Sequence, residues 1–193
     1  MTRSWLSQPG GLYFSVVLKP QKIDFLPNLT QLMALSVCQT LQQLGVNAWL
    51  KWPNDVLAGG KKICGILSEA VTHAAGFEAL VLGVGINVRQ ADLSAAGQPA
   101  TSLAMLGVQT DEDTVLDAVL AQFFDGYTTV LEKGFSALSA LYLKHFPYIG
   151  KEVEIRHGAA PVRGIVETIS PNGELVLNTP QGKTIISIGD MCV

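Results

Sequence analysis

The chain has 193 residues, of which 48% are hydrophobic and 15% charged, and its formal net charge at pH 7 is −3. This composition predicts one domain of ordinary size plus a small appendage, and it excludes a disordered tail. No Lys/Arg cluster exceeds two adjacent residues, so we expect no nucleic-acid partner. Because the sequence shows neither an apolar run long enough to span a bilayer nor the h-region of a signal peptide, we expect a cytoplasmic protein without membrane contact.

The cysteines and histidines give no sign of a metal site. The three cysteines are far apart and stand at no metal-ligand spacing, which is typical of small core residues in a reducing compartment. They are Cys38, Cys64 and Cys192. The three histidines have no companion Asp, Ser or Cys at catalytic spacing, so we interpret them as structural or solvated. They are His73, His145 and His157.

The N-terminal third predicts a strand followed by a helix. A Pro-Gly-Gly corner at residues 9–11 precedes an apolar strand over residues 12–18. Arg3 and Trp5 lie just before that strand, and they are either a solvated charge and a core cap or parts of a ligand site. Residues 27–44 predict a packing helix, because Pro27 suits the first turn and Gly45 stops the helix.

The stretch from residue 46 to residue 67 predicts a hairpin with a polar corner. Residues 46–52 form a strand, Pro53 ends its pairing, and Asn54-Asp55 makes the turn. After a tight reversal at residues 58–60, Lys61 and Lys62 open an apolar run that predicts the returning strand.

Lys62 therefore enters a half-buried strand, and two interpretations of it are open. Its stem can lie along the sheet while the ammonium reaches water, as an isolated lysine usually does. Alternatively, Gly65 leaves bare backbone beside the ammonium, and a cation next to bare backbone suits a carboxylate or a phosphate.

Residues 77–88 are nearly all apolar and predict a central strand buried on both faces. Gly83-x-Gly85 is not a dinucleotide fingerprint, because Val88 occupies the place of the third glycine and no helix follows. Two glycines in a central strand rather leave room for a ligand across the sheet. Asn87 ends the run, and its amide bonds either neighbouring backbone or a nucleotide.

The second half of the chain predicts helices and then a small β domain. Thr110 is the predicted N-cap of a long helix with acids in its first turn, Gly134 ends that helix, and a shorter one precedes Pro147. From Gly150 the apolar residues alternate with period two between turn signals. Four or more short strands in about 45 residues make a small barrel that we expect to pack on the main domain.

Four segments together resemble biotin protein ligases. They are KWPND at residues 51–55, KKICGIL at 61–67, GVGINV at 83–88 and RSWLSQPGGLYFS at 3–15. The resemblance covers nearly the whole chain. It implies an α+β fold with two domains. Residues 1–146 would form a mixed sheet packed with helices, as in the class II synthetase-like catalytic domain of biotin and lipoate ligases. Residues 147–193 would form an SH3-like C-terminal domain.

The resemblance also implies an activity. Such ligases form biotinyl-5′-AMP from biotin and ATP and pass biotin to a lysine of a biotin carboxyl carrier protein. Mg²⁺ would arrive with ATP, in keeping with the lack of a carboxylate cluster. Lys62 matches the family's key lysine and would bridge the biotin carboxylate and the phosphate, with Lys61 as a less critical neighbour.

Other site residues are implied in the same way. The biotin pocket would be lined by Lys62, Gly65, Leu67 and Gly83. The ATP site would comprise Arg3, Trp5, Asn54 and Asn87, where Arg suits phosphate and an indole stacks on adenine. Lys51 and Asp55 either support the corner or bind a ligand directly.

One departure from the family leaves alternatives open. The Gly/Arg-rich loop and the Ser-Thr-Asn segment that family members carry before the Arg-x-Trp of residues 3–5 are missing from this sequence. Either the start has been placed too far downstream, or the chain is a fragment with weak or no ligase activity. A lipoate-type acyl ligase and a module that only binds are the other two functions considered. An exposed sheet edge can pair with a second copy, giving a homodimer, or with the carrier.

Overall fold

The computed structural model describes residues 7–74, 76–157 and 160–192. The strands within these residues are β1 (Gly11–Leu18), β2 (Ala48–Lys51), β3 (Asp55–Ala58), β4 (Lys61–His73), β5 (Gly76–Asn87), β6 (Glu152–Arg156), β7 (Val162–Ile169), β8 (Leu175–Thr179), β9 (Gly182–Ile186) and β10 (Asp190–Cys192). The α-helices are α1 (Leu26–Gln43), α2 (Glu112–Lys133) and α3 (Ser139–Lys144).

The first five strands form one sheet that is covered on one face by helices. Their spatial order is β1-β5-β4-β3-β2, and every neighbouring pair is antiparallel. A parallel bridge between Lys62, at the start of β4, and Ala100 joins the segment that follows β5 to this sheet. Helix α1 packs on β2, β3 and β4, and α2 packs on α1. This arrangement confirms the predicted α+β class, but the sheet is antiparallel apart from that single bridge, whereas a mixed sheet was predicted.

Helix α1 is the buried centre of the first domain. Pro27 lies in its first turn and Gly45, with a φ of 82°, follows its last residues, so the predicted limits hold to within about one residue. Leu29, Met33 and Leu41 are fully buried in the core that the helix shares with the sheet. Apolar residues at helical spacing therefore position the sheet whose opposite face carries the site.

Two local predictions need correction. The polar corner is followed by a four-residue strand, β3, that was not predicted, because so short a segment gives little period-two pattern. The N-cap of α2 is Asp111 and not Thr110: the Asp111 side chain accepts a hydrogen bond of 2.7 Å from the Thr114 backbone N–H. A carboxylate three residues before that N–H is well placed to cap the helix and to interact with its dipole.

The last five strands form a second antiparallel sheet of order β10-β6-β7-β8-β9. It docks on the first domain through the turn at Gly173, whose carbonyl accepts hydrogen bonds from Gln31 Nε2 at 2.7 Å and from Trp52 Nε1 at 3.1 Å. A Cβ at Gly173, where φ is 86°, would overlap the Gln31 amide, so only glycine fits there. The C-terminal sheet and the corner of residues 52–55 are thus linked. The domain boundary between residues 146 and 147 stays a prediction.

Among the helices of the described residues, none is both long enough and apolar enough to cross a membrane.

Candidate active site

A cavity of about 880 Å³ lies over the face of the first sheet that α1 leaves uncovered. Its floor comes from β1, β3, β4, β5 and the last residue of β2. Two further walls come from the loop at residues 96–98 and from residues 190–192 in the C-terminal sheet. A volume of this size is in the ordinary range for a site that binds a small molecule.

One row of residues crosses the whole floor. Strand pairing sets Tyr13 opposite Gly85, Gly85 opposite Gly65, Gly65 opposite Asp55, and Asp55 opposite Lys51. Directly paired residues in a sheet point to the same face, so all five positions share the cavity side. The middle of the row is bare backbone, with an aromatic ring at one end and a charged pair at the other.

The next row of the floor consists of a serine, a glycine and a leucine. Ser15 pairs with Gly83, and Gly83 pairs with Leu67. The Leu67 side chain is 61% exposed and lines the cavity, which is unusual for a leucine in a central strand. A Cβ on Gly83 would meet its nearest atoms at 3.7 Å, so the glycine is not needed for packing. The structure thus brings Gly65, Leu67 and Gly83 together along one cavity, and the binding of biotin by these residues, which the resemblance implies, stays a prediction.

A β-bulge places Lys62 on the same face as Gly65. In a regular strand, residues three apart point to opposite faces. Here Val56 pairs with Cys64 while the next residue, Leu57, pairs with Lys62, which leaves Ile63 as an extra residue. Because both Ile63 and Cys64 are fully buried towards the core, Lys62 returns to the cavity side.

The Lys62 ammonium is held by a carboxylate. Its Nζ lies 2.7 Å from Asp55 Oδ1, and the two side chains are only 15% and 16% exposed. Lys51, which is paired with Asp55 across the strands, lines the same cavity. Two ammonium groups and one carboxylate therefore give this end of the floor a net charge of +1. This geometry argues against the interpretation in which the ammonium simply reaches bulk water.

The backbone of Lys62 is fixed by the segment that follows β5. Its N–H donates to Pro99 O at 2.9 Å, and its carbonyl accepts from the Thr101 N–H at 2.9 Å. These two bonds make the parallel bridge at Ala100. The loop of residues 91–98, whose end lines the cavity, is thereby attached to the strand that carries the lysine.

Asn54 lines the cavity but also holds the corner. The side-chain Nδ2 of Asn54 donates to Ile66 O at 2.5 Å, and the backbone carbonyl of Asn54 accepts from the Ile66 N–H at 3.1 Å. The amide therefore bridges the turn to β4. A contact between Asn54 and adenine or ribose stays a prediction.

Asn87 is buried and engaged by protein groups. Nδ2 donates to Thr101 O at 3.0 Å, and Oδ1 accepts from Gln90 Nε2 at 3.2 Å. Its side chain is not part of the cavity lining that the structure describes. These contacts favour the interpretation in which the amide bonds neighbouring groups. A direct contact with a nucleotide stays a prediction.

The two buried thiols, Cys38 and Cys64, are not poised as nucleophiles, whereas Cys192, which was expected to be a core residue, is partly buried and lines the cavity. Burial raises the pKa of Cys64, which lies next to the bulge, and the nearby Lys62 offsets only part of that rise. Burial likewise raises the pKa of Cys38 to about 12. Both thiols are protonated at neutral pH and pack as small apolar residues.

The histidines lie away from the cavity floor. His145 Nδ1 lies 3.1 Å from Gln42 Nε2, and burial together with the neighbouring Lys144 lowers the pKa of its ring. His73 is an exposed partner of Glu78. In the described part of the chain, no group of three or more His, Cys, Asp or Glu side chains could hold a metal ion.

Several cavity residues were not among the predicted site residues. Tyr13, Ser15 and Gly85 sit in register with the predicted glycines, and their alternation along β1 and β5 was the available signal. Asp190 and Cys192 come from the far end of the sequence, where no local pattern indicates a cavity wall. Arg3 and Trp5 lie outside the described residues, so their predicted ATP contacts stay predictions.

The fold and the cavity define a class of protein: an α+β domain with a cavity, cationic at one end, on the open face of an antiparallel sheet, and a second β domain that contributes one wall of that cavity. Two family models match this chain. The model of the biotin/lipoate A/B protein ligase family matches residues 1–87, and the model of the biotin protein ligase C-terminal domain matches residues 148–192.

Known relatives agree with both matches. The chain is 32% identical to the bifunctional ligase/repressor BirA of Bacillus subtilis over 94% of its own length and 58% of that protein. It is 28% identical to the biotin–[acetyl-CoA-carboxylase] ligase of Paracoccus denitrificans, covering 98% of the chain and 82% of that protein. The biotin protein ligase of Aquifex aeolicus, solved in complex with biotin and ATP, superposes with a TM-score of 0.87 at 32% identity, covering 98% of this chain and 81% of that one. The chain belongs to the biotin protein ligase family, and it spans little more than half the length of the Bacillus relative.

Proposed function

We propose that this protein is an ATP-dependent ligase that forms biotinyl-5′-AMP and transfers biotin to a lysine of a biotin carboxyl carrier protein. One observation carries the proposal. The Lys62 ammonium is held by Asp55 at the charged end of a bare sheet floor, inside a cavity large enough for a small ligand and a nucleotide. The names of the relatives support the same activity.

The floor suggests how biotin is seated. A flat bicyclic ring can lie over Gly65 and Gly83 because neither position has a side chain, and Leu67 offers apolar surface beside it. The carboxylate would then point towards the cationic end of the row. Lys51 and Lys62 together provide the charge that receives it.

The first step needs positioning and charge stabilisation more than a protein nucleophile. A carboxylate oxygen of biotin attacks the α-phosphorus of ATP, the bond from that phosphorus to the bridging oxygen breaks, and pyrophosphate leaves. Lys62 would stabilise the negative charge that accumulates between carboxylate and phosphate. Asp55 keeps the ammonium in place.

In the second step, the amine of a carrier lysine attacks the acyl carbon of the mixed anhydride. The bond from acyl carbon to phosphate oxygen breaks, AMP leaves with the electron pair, and the attacking nitrogen loses a proton to solvent as the amide forms. Magnesium would arrive bound to ATP and would shield its phosphate charge. Asn54, Arg3 and Trp5 are the proposed nucleotide contacts, and we infer for Asn87 a positioning role through the loop that it holds.

The test compares two adjacent lysines. We expect Lys62→Ala to lower pyrophosphate release from biotin and ATP by about 10²- to 10³-fold, since one electrostatic donor is lost from the reacting centre. Lys61→Ala is the matched control, because Lys61 is exposed and should retain nearly full activity. Circular dichroism melting of both variants checks that the fold is intact.

Three results would refute the proposal. Pyrophosphate release that survives Lys62→Ala would remove Lys62 from the mechanism. Binding of labelled biotin without pyrophosphate release would indicate a module that only binds. If lipoate and biotin compete for transfer to a carrier apo-domain and lipoate is used preferentially, the chain is a lipoate-type ligase instead. The homodimer and the cytoplasmic location stay predictions.

A further inference from the structure

Gln90 occupies a buried junction between three parts of the chain. It is 4% exposed, and it follows β5 at the point where the loop of residues 91–98 begins. Its Nε2 lies 3.2 Å from both Tyr13 Oη and Asn87 Oδ1, and its Oε1 accepts from the Val88 N–H at 2.8 Å. The side chain therefore ties the end of β5 to β1.

The same residue ties the two ends of the loop together. The Ser102 hydroxyl donates to Gln90 O at 2.6 Å, and Ser102 is fully buried. Asn87, which Gln90 orients, donates to Thr101 O at 3.0 Å. The loop leaves the sheet at residue 90 and returns at residues 99–102, so Gln90 closes its base.

The base of the loop is hydrogen-bonded to the backbone of Lys62, the proposed catalytic residue. Thr101 donates its N–H to Lys62 O, and Lys62 donates its N–H to Pro99 O, each at 2.9 Å. On its other side the loop presents Gly97 and Gln98 to the cavity. A shift of the base would therefore move both the loop over the cavity and the backbone of the lysine.

The chemistry of this junction requires an amide of this length. The buried side chain must accept one hydrogen bond from an N–H and donate two to oxygen atoms. A neutral amide does both, whereas an ionised carboxylate has no donor and a lysine has no acceptor. Asparagine is one methylene shorter and cannot span the same three partners.

We propose that Gln90 is a positioning residue that holds the loop of residues 91–98 closed at its base and so retains the acyl-adenylate in the cavity. This inference rests on the proposed ligase function. Retention matters because the anhydride reacts with water: the water oxygen attacks the acyl carbon, the bond from acyl carbon to phosphate oxygen breaks, and biotin and AMP leave while both protons of the water pass to solvent.

The experiment measures leakage of the intermediate. The full chain is mixed with biotin, ATP and Mg²⁺ in the absence of any acceptor protein, and pyrophosphate and AMP are followed over time. We expect the wild-type chain to show a burst of pyrophosphate followed by slow AMP release. Gln90→Met, which keeps the volume and removes the amide, should give a burst of similar size and AMP release that is about tenfold faster or more.

Gln31 provides a matched control. It is also a glutamine that is 4% exposed, and its amide is likewise hydrogen-bonded, but it contacts Asn28 and the turn at Gly173 instead of the loop. Gln31→Met should lower the melting temperature to a similar degree while leaving AMP release at the wild-type rate. Hydrogen exchange at the amides of Lys62 and Thr101 should be faster in Gln90→Met and unchanged in Gln31→Met.

A milder variant keeps the test decisive if Gln90→Met fails to fold. Ser102→Ala removes one hydroxyl from the same junction and should also raise AMP release. The inference is overturned if a wild-type burst is seen but neither variant leaks, if Gln31→Met leaks equally, or if Gln90→Met loses the burst itself. Absence of a burst in the wild-type chain would instead refute the proposed function.

Discussion

Replacing Asp55 by asparagine should separate the placing of Lys62 from its charge. Asp55→Asn keeps the shape of the side chain and removes the carboxylate that lies 2.7 Å from the ammonium. At an effective dielectric constant of about 20, two unit charges at this distance attract by about 6 kcal/mol, and desolvation of both groups offsets most of that gain. The net effect must therefore be bracketed from the exposure of the pair.

The two side chains are 15% and 16% exposed, which puts the pair between the surface and buried classes. Surface pairs contribute about 0 to 1 kcal/mol, and breaking a buried pair costs about 3 to 5 kcal/mol. We expect Asp55→Asn to reduce the free energy of unfolding by about 2 kcal/mol. For a chain of this length, that corresponds to a fall in melting temperature of about 4 to 8 °C.

The kinetic effect of Asp55→Asn has its own signature. The ammonium loses its anchor, so kcat for pyrophosphate release should fall about tenfold to a hundredfold. The charged end of the floor gains net positive charge, so the KM for biotin should stay unchanged or fall. A pyrophosphate assay at varied biotin concentration separates the two quantities.

The control for this variant is an exposed ion pair. Lys183 Nζ lies 2.5 Å from Glu167 Oε1 in the C-terminal sheet, and the two side chains are 57% and 33% exposed, more than those of Lys62 and Asp55. Glu167→Gln should change the free energy of unfolding by less than about 1 kcal/mol and leave kcat intact. If Asp55→Asn behaves like this control in both assays, the ion pair does not hold Lys62 and the argument from its geometry is wrong.

Two further predictions concern the cavity. Gly83→Ala should leave the melting temperature nearly unchanged, because the added Cβ would meet its nearest atom at an ordinary 3.7 Å. The same Cβ should raise the KM for biotin about tenfold, because it occupies space above the cavity floor. An unchanged KM would show that biotin binds elsewhere. Iodoacetamide at pH 8.5 should modify Cys192 in the native chain and spare Cys38 and Cys64, because Cys192 lines the cavity and burial raises the pKa of the other two thiols. A thiol whose pKa is raised in the native state contributes to the stability of the fold. This contribution is fully present below the unfolded thiol pKa of about 8.5 and is lost as the pH rises towards the pKa of the native thiol. Cys38 and Cys64 should therefore react only when the chain unfolds in alkali. Biotin with ATP should protect Cys192, and modification that ligands do not slow would contradict its place in the cavity wall.

The sequence by itself determined the elements that depend on local pattern. Helix α1 follows from apolar residues at helical spacing between Pro27 and Gly45, and the C-terminal strands follow from period two between turn signals. Gly65 and Gly83 stood out as bare positions in apolar strands, and the resemblance to biotin protein ligases implied their place in a biotin pocket, whereas Gly85 was not among the predicted site residues. Lys62 stood out because a lysine seldom enters such a strand, but the strand pattern left its direction open, and its role was implied by the resemblance to biotin protein ligases.

Only the tertiary structure decided which way these residues face. Lys62 and Gly65 are three residues apart, and a regular strand would put them on opposite faces; pairing with β3 creates the bulge at Ile63 that brings them together. Nothing local to Asn87 shows that its amide is taken up by Thr101 and Gln90. Side-chain direction and long-range hydrogen bonds depend on the partner strand and on the returning loop, whereas a local pattern records only what each residue prefers.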